Sequence, residues 1–441
     1  MHKNRLTLWA LLAALPSSIL GAPGDVDPDF SHPTFSGRVR TVAVQPDGKI
    51  LVGGDFTLVN GVSRPYLIRL NAGGTLDPGF NPTLNGVVGS VLVQSDGKIL
   101  LAGAFTFVNS VTRNYVARLN ADGTLDPGFQ PDVNGSVACL AVQADGKVLL
   151  GGGFTSVEGG AQGYFVRVNG DDGSIDASLH PPGGANCAGP NGAVYCLGME
   201  ANGDILVGGD YAFFSVCSVG AYPRYDLARM TADGAVDASF QPTVYRYNPV
   251  NYVGVLAVQP NGQILLGGSF RVDDNRWFAR VNPNGSQDTS FLPFPNTGFS
   301  CLAVQANGTI LVGGSFTAFD GVLFTNMARV SIDGVLDTNF DPKVRGSLDS
   351  IALQADGKIL IGGAFSMVGG QTHTRLARLL NDPASQNLTA TPSTVTWERN
   401  GKQYVTVMSG IGGVYALRAG DPNLANVPAG VTVWTFGLFD K

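Results

Sequence analysis

Apolar positions along this chain follow a recurring unit rather than one period held from end to end. One half of the unit reads VAVQPDGKILVGGDF at Val42–Phe56. It returns at Val91–Phe105, Leu140–Phe154, Leu197–Tyr211, Leu256–Phe270, Leu302–Phe316 and Ile351–Phe365. Gln45 of the first copy has counterparts at Gln94, Gln143, Glu200, Gln259, Gln305 and Gln354, so the unit occurs seven times. The other half reads YLIRLNAGGTLDPGF at Tyr66–Phe80, with equivalents ending at Phe129, Leu179, Phe240, Phe291 and Phe340.

Runs such as KILVGG are apolar without alternation, the pattern of strands covered on both faces. In Gln45-Pro46-Asp47-Gly48-Lys49, Pro suits the first corner of a type I turn and Gly the following left-handed position. Each unit therefore predicts two hairpins, hence four short strands. Seven such sheets, each covered on both sides, predict an all-β, seven-bladed β-propeller. A solenoid has shorter coils. The same turn logic at Asn71–Thr75 places Arg69 opposite Asp77. The pair recurs as Arg118–Asp126, Arg229–Asp237, Arg280–Asp288 and Arg329–Asp337, while Arg167–Asp176 has one more loop residue, which allows an offset. A ladder copied into every blade reads as structural, not catalytic.

The seventh unit lacks its last strand, for Arg378 is followed by Asn381-Asp382-Pro383. Val26-Asp27-Pro28-Asp29-Phe30 matches Leu76-Asp77-Pro78-Gly79-Phe80 instead. The N-terminal segment is thus expected to close the last blade, with Asp27 facing Arg378, which removes an open sheet edge.

The combined pattern, VQxDGKILVGGxF followed by ARLNADGTLDPxF, resembles the bacterial delta-60 repeat over roughly residues 25–380. That resemblance implies a propeller-type, secreted or surface protein and no particular chemistry. Members of that family often carry a β-rich tail opening with a segment like Ser393–Trp397.

Four domains are expected. Residues 1–24 read as a signal peptide: His2, Lys3 and Arg5, then apolar Leu6–Leu15, then Gly21, Ala22 and Gly24. The apolar run is too short to span a bilayer. Residues 25–381 form the propeller, 382–392 a linker, and 393–441 a small β-rich segment with runs at Val395–Arg399, Tyr404–Met408, Val414–Arg418 and Val431–Phe436. The mature chain is expected outside the cytoplasm, without a transmembrane segment, as a monomer.

Net charge is -6 and no dense Lys/Arg cluster occurs, so nucleic acid has no electrostatic footprint here. The usual catalytic signatures are missing from the sequence, and only four His are present. No zinc-type Cys-His spacing occurs, and neither metal nor cofactor is expected. What stands out is an uneven ring. His180–Tyr195, Ala212–Arg224 and Thr243–Tyr252 are long loops around units four and five. They and their flanks carry Tyr211, Phe213, Phe214, Tyr222, Arg224, Tyr225, Tyr245, Arg246, Tyr247 and Tyr252. Aromatics and arginines in exposed loops suit stacking on sugars or docking of protein. Cys187 and Cys217 lie in two of these loops and are candidates for a disulfide, with Cys187–Cys196 as the rival pairing. Cys139, Cys196 and Cys301 share one repeat position and read as small buried residues.

These features favour a secreted or surface, non-catalytic binding or scaffold module, with a protein or glycan ligand held by the loops of blades four and five. Two alternatives stay open. One is a carbohydrate-active hydrolase or lyase using loop carboxylates such as Asp55 and Asp210, which share one motif position. The other is a purely structural envelope component.

Overall fold

The computed structural model describes residues 22–160, 162–179, 190–211, 224–242, 252–270 and 277–381, and four tail strands between 389 and 417. All regular structure among the described residues is β-strand, and no helix there is long and apolar enough to cross a membrane.

The non-alternating apolar runs form the middle strands of the blades. Ile50–Gly54, Ile99–Gly103, Val148–Gly152, Ile205–Gly209, Ile310–Gly314 and Ile359–Gly363 are buried throughout, and Ile264–Ser269 is buried up to its last residue. Each lies between an inner and an outer strand in a three-stranded antiparallel sheet, and there are seven such sheets. In blade one the order is Val39–Val44, Ile50–Gly54, Leu67–Leu70. The inner strand Val39–Val44 packs against Val88–Val93 on one side and Leu348–Leu353 on the other, so the ring of blades closes. The core lies between blades. One cluster joins Val39, Ile50 and Phe56 of blade one to Leu360 and Leu376 of blade seven. Each fully buried phenylalanine of these layers contributes about 2 kcal/mol relative to exposure.

The tight turns follow from their residues. Gly48 sits at φ 81°, its N–H donates to Gln45 O at 2.9 Å, and Gln45 N–H donates to Lys49 O at 2.8 Å. The outer turn repeats the geometry: Asn71 N–H donates to Thr75 O at 2.8 Å, with Gly74 at φ 87°. In blade three the additional loop residue is absorbed within the turn, where Asn169 N–H reaches Ser174 O at 2.8 Å.

One expectation differs. The pattern predicts four strands per blade, but the fourth is reduced to a single bridge, Leu70↔Leu76 in blade one. The cause is local. Asp77 Oδ1 accepts the Gly79 N–H at 3.0 Å, and the equivalent Asp caps the N–H two residues on in the other blades, whether Pro, Ala or Thr stands between. The chain therefore leaves the sheet immediately after the bridge.

The seventh blade is completed from the N-terminus. Val26 bridges Leu379, and Asp27 N–H donates to Arg378 O at 2.8 Å. Phe30 then lies where a Cβ on Gly74 of blade one would come within 2.7 Å of its ring. Phe80 of blade one meets Gly123 of blade two in the same way, at 2.8 Å. The closing seam thus uses the contact found at an ordinary blade boundary.

Residues 25–379 form one compact unit and the tail belongs to another. In the tail, Thr389–Ala390, Thr394–Arg399, Lys402–Ser409 and Gly413–Leu417 form a four-stranded antiparallel sheet in chain order. The expected linker 382–392 thus contains the strand Thr389–Ala390, and its other residues lie outside the described ones. The apolar stretch of the leader and the run Val431–Phe436 also lie outside them.

Candidate functional site

Two chemically distinct sets of side chains recur around the ring. The first lies between blades, towards the tight turns. Arg69, on the outer strand of blade one, donates from Nε to Asp77 Oδ2 at 2.8 Å, and Lys49 Nζ reaches the same oxygen at 3.0 Å. Arg69 Nη1 also donates to Ala121 O, in the outer turn of blade two, at 2.5 Å. Its guanidinium stacks on Phe80, 4.4 Å from the ring centroid. One arginine therefore ties its own carboxylate, its own aromatic and the next blade's backbone.

The arrangement recurs. The Arg–Asp contacts measure 2.8 Å for Arg118–Asp126, 2.6 Å for Arg167–Asp176, 2.7 Å for Arg229–Asp237, 2.8 Å for Arg280–Asp288 and 2.6 Å for Arg329–Asp337. At the seam Arg378 meets Asp27 at 2.8 Å, Lys358 meets the same carboxylate at 2.9 Å, and Arg378 Nη1 donates to Ala72 O of blade one at 2.6 Å. Burial pushes the Asp77 carboxyl up, but its hydrogen bonds from Lys49 and Arg69 outweigh this and hold it below the usual carboxylate range. Asp27 and Asp126 are held low by a similar balance, and Asp288 by hydrogen bonds from Ser290 and Arg280. Every carboxylate of this set is ion-paired, which fits a clamp rather than a proton donor. The lysine and the neighbouring carbonyl are partners that residue pairing alone did not reveal. The recurrence of Lys in the DGK turn was the available signal.

The second set lies at the opposite, loop-bearing end of the inner strands. Each inner strand carries a β-bulge, whose extra residue is Arg40, Gly89, Ala138, Tyr195, Gly254, Ser300 or Asp349. The inner strands flank the middle of the ring, so these residues surround its opening on that face. They are not alike. On one side Arg40 binds Asp55 through two nitrogens, Nη2 to Oδ2 at 2.8 Å, and Arg38 likewise grips Asp349 of blade seven. On blades four and five Tyr195 meets Tyr252 edge to face, with centroids 5.4 Å apart. These rings remain 39% and 36% exposed, although both stand on or beside the innermost strands. Burial raises the Tyr195 hydroxyl pKa, and the nearby Asp210 adds to it.

The structure treats the expected ligand residues unequally. Tyr252 is exposed. Tyr211 is buried, at the position Phe56 holds in blade one, and its hydroxyl donates to Val207 O at 2.7 Å. Arg224 is also buried, with Nη2 donating to Asp237 O at 3.3 Å and Ala238 O at 3.2 Å. Both therefore build the blade and offer no surface to a ligand, contrary to expectation. Phe213, Phe214, Tyr222, Tyr245, Arg246, Tyr247, Cys187 and Cys217 lie outside the described residues. In sequence Tyr195 marks only the end of a long loop, yet it is the aromatic that Tyr252 packs against. Cys196 and Cys301 are buried free thiols, Cys139 is free and partly buried, and burial pushes all three thiol pKa values up. Among the described residues no group of three or more His, Cys, Asp or Glu is placed to hold a metal ion.

A closed ring of seven repeat-built sheets defines a β-propeller. The model described as "Domain of unknown function (DUF5122) beta-propeller" matches residues 45–80, 94–129, 143–179, 200–240, 259–291, 305–340 and 354–382, and the chain belongs to that family. No curated protein matches the chain. Among solved structures, the WD40 β-propeller domain of Doa1 is similar at 16% identity and TM-score 0.50, covering 80% of this chain and 96% of that one. An extracellular domain of a hybrid two component system from B. thetaiotaomicron shares 11% identity at TM-score 0.48, covering 86% of this chain and 46% of that one. YCF48 bound to D1 peptide shares 14% identity at TM-score 0.46, covering 82% of this chain and 100% of that one. At these identities the likeness is one of fold.

Proposed function

We propose that this chain is an exported, non-catalytic binding module that takes a protein or glycan ligand on the loop-bearing face at blades four and five. The observation that carries the reading is the Tyr195–Tyr252 pair. Two rings on adjacent blades stay exposed beside Asp210, at a ring opening otherwise lined by small or ion-paired residues. Exposed aromatic faces next to a carboxylate suit sugar stacking or an anchoring peptide side chain. The long loops carrying Tyr245 and Tyr247 flank Tyr252 in sequence and would extend the same surface. The leader-like residues 1–24 and the likeness to delta-60 repeats support export. Of the two carboxylates considered for catalysis, Asp55 is gripped by Arg40, which speaks against its use as a proton donor.

A glycan array and a pull-down with the full chain test the proposal, repeated with Tyr195→Ala/Tyr252→Ala and with Tyr245→Ala/Tyr247→Ala. Binding lost in the first variant, with the unfolding midpoint retained, supports the site. Equal binding by both variants overturns it.

A further inference from the structure

The seam between blade seven and the N-terminal segment departs from the repeat at one place. In blade two, Arg113 of the mid-blade loop donates from Nη2 to Pro127 O at 3.3 Å, which ties the loop to the end of its own blade. The equivalent residue of blade seven is His373. The segment that it must tie down carries an insertion, one residue more between Phe30 and Val39 than between Phe80 and Val88, and a histidine, His32, falls there. His32 holds φ 46°, a left-handed conformation that side chains other than glycine rarely adopt. The two imidazoles meet across the seam with ring centroids 4.4 Å apart. His32 also packs edge-on against Phe30, at 5.1 Å, and Phe30 carries the Arg378 guanidinium at 4.6 Å. These are the only histidines among the described residues, and they come from opposite ends of the ring.

We infer that the His32–His373 pair is a pH-sensitive catch on the ring, which holds the N-terminal strand while both rings are neutral and loosens it when they are protonated. His32 Nε2 lies 2.9 Å from Asp27 O, whereas His32 Nδ1 and His373 Nε2 are buried without a partner. A proton on either would place a cation in a site with no acceptor for it. A proton on both would put two like charges in ring contact. Burial lowers the pKa of both histidines, Asp27 partly opposes this at His32, and Arg378 and the neighbouring imidazole reinforce it. Lys358 pairs with the Asp27 carboxylate, and Arg375, just before the outer strand Leu376–Leu379, donates to Phe35 O. With the folded values below the unfolded 6.5, the contribution is complete above that pH and is lost as pH falls through the folded values.

Amide hydrogen exchange of the full chain, corrected for intrinsic rates, tests this between pH 7.5 and 5 in wild type, His373→Gln and His32→Asn. Gln162 occupies the His373 position in blade three, so the first substitution is one the fold already accepts. The expected result is a severalfold loss of protection at the Asp27 amide in wild type, with no matching change at the equivalent Asp77 amide, and a flat response in His373→Gln. An unchanged pH response in His373→Gln overturns the inference, as does equal loss at Asp27 and Asp77. If a variant fails to fold, NMR titration of the wild-type imidazoles decides: ordinary histidine values for both rings overturn the inference, and lowered values support it.

Discussion

Arg378 and Asp27 stand 351 residues apart in the chain and 2.8 Å apart in space. That single ion pair reproduces at the ends of the chain what Arg69 and Asp77 do within one hairpin, and it makes closure of the ring a consequence of the repeat. Lys358 and Ala72 O complete the set, as Lys49 and Ala121 O do in blade one.

Asp27→Ala would strand two cations in a largely buried site. Breaking a buried pair in this way costs about 3 kcal/mol. Thermal unfolding should show a clear drop in midpoint, and deletion of residues 25–31 a larger one. An unchanged midpoint in the deletion would mean that blade seven is held in some other way.

Not all arginine–aspartate pairs here are equivalent. Arg69 is buried, whereas the Arg40 side chain is 41% exposed in its pair with Asp55. Arg69→Ala should destabilise by about 3 kcal/mol, and Arg40→Ala by less than about 1 kcal/mol. Denaturant unfolding of the two variants side by side gives the comparison, and equal effects would contradict the division into clamp and rim.

Acid should unfold the ring through the clamp carboxylates. Asp27, Asp77, Asp126, Asp176, Asp237 and Asp288 all have folded values below the ordinary 3.8. A lowered carboxylate contributes stability that is fully present above its unfolded value and is lost as pH falls through the folded one. Stability should therefore fall steeply below pH 3.8, a window separate from any histidine effect. Asp77→Asn, which cannot ionise, should reduce that slope in urea titrations at successive pH values.

Gly123→Ala tests the packing of one blade on the next. The residue sits at φ 93°, and an added Cβ would lie 2.8 Å from the Phe80 ring. Strain and overpacking together should cost about 1–3 kcal/mol. Gly61→Ala, at φ 77° with nothing near its Cβ, separates the backbone cost from the packing cost.

Much of the fold was legible because the repeat states each rule seven times. The DGK and ADG turns set the hairpin registers, and the LDPGF pattern at residues 26–30 pointed to blade seven. What the pattern hid lies between units. Ala121 O is a backbone atom, indistinguishable in sequence from any other carbonyl, so the reach of Arg69 across the blade boundary left no mark. A full fourth strand is not formed, although Leu76 looks like a strand residue, because the Asp77 side chain turns the chain out of the sheet at once. Tyr211 and Arg224 flank long loops, which suggests exposure. Their repeat positions, equivalent to the buried Phe56 and Arg113, argue instead for burial. Tyr195 carries no mark in the sequence, because a bulge residue looks like any other strand residue until register is known.

The bridge between Val26 and Leu379 is the same bridge that joins Leu70 to Leu76, except that no five-residue turn connects its two halves. The place where this ring begins is therefore arbitrary. A chain in which Leu379 ran through an Asn71–Thr75-type turn into Val26, and which was cut instead at an outer turn such as 121–123, would pass through the same seven sheets in rotated order. Such a circular permutant should fold to the same propeller, with its closing strand relocated to blade two and the original seam turned into an ordinary hairpin.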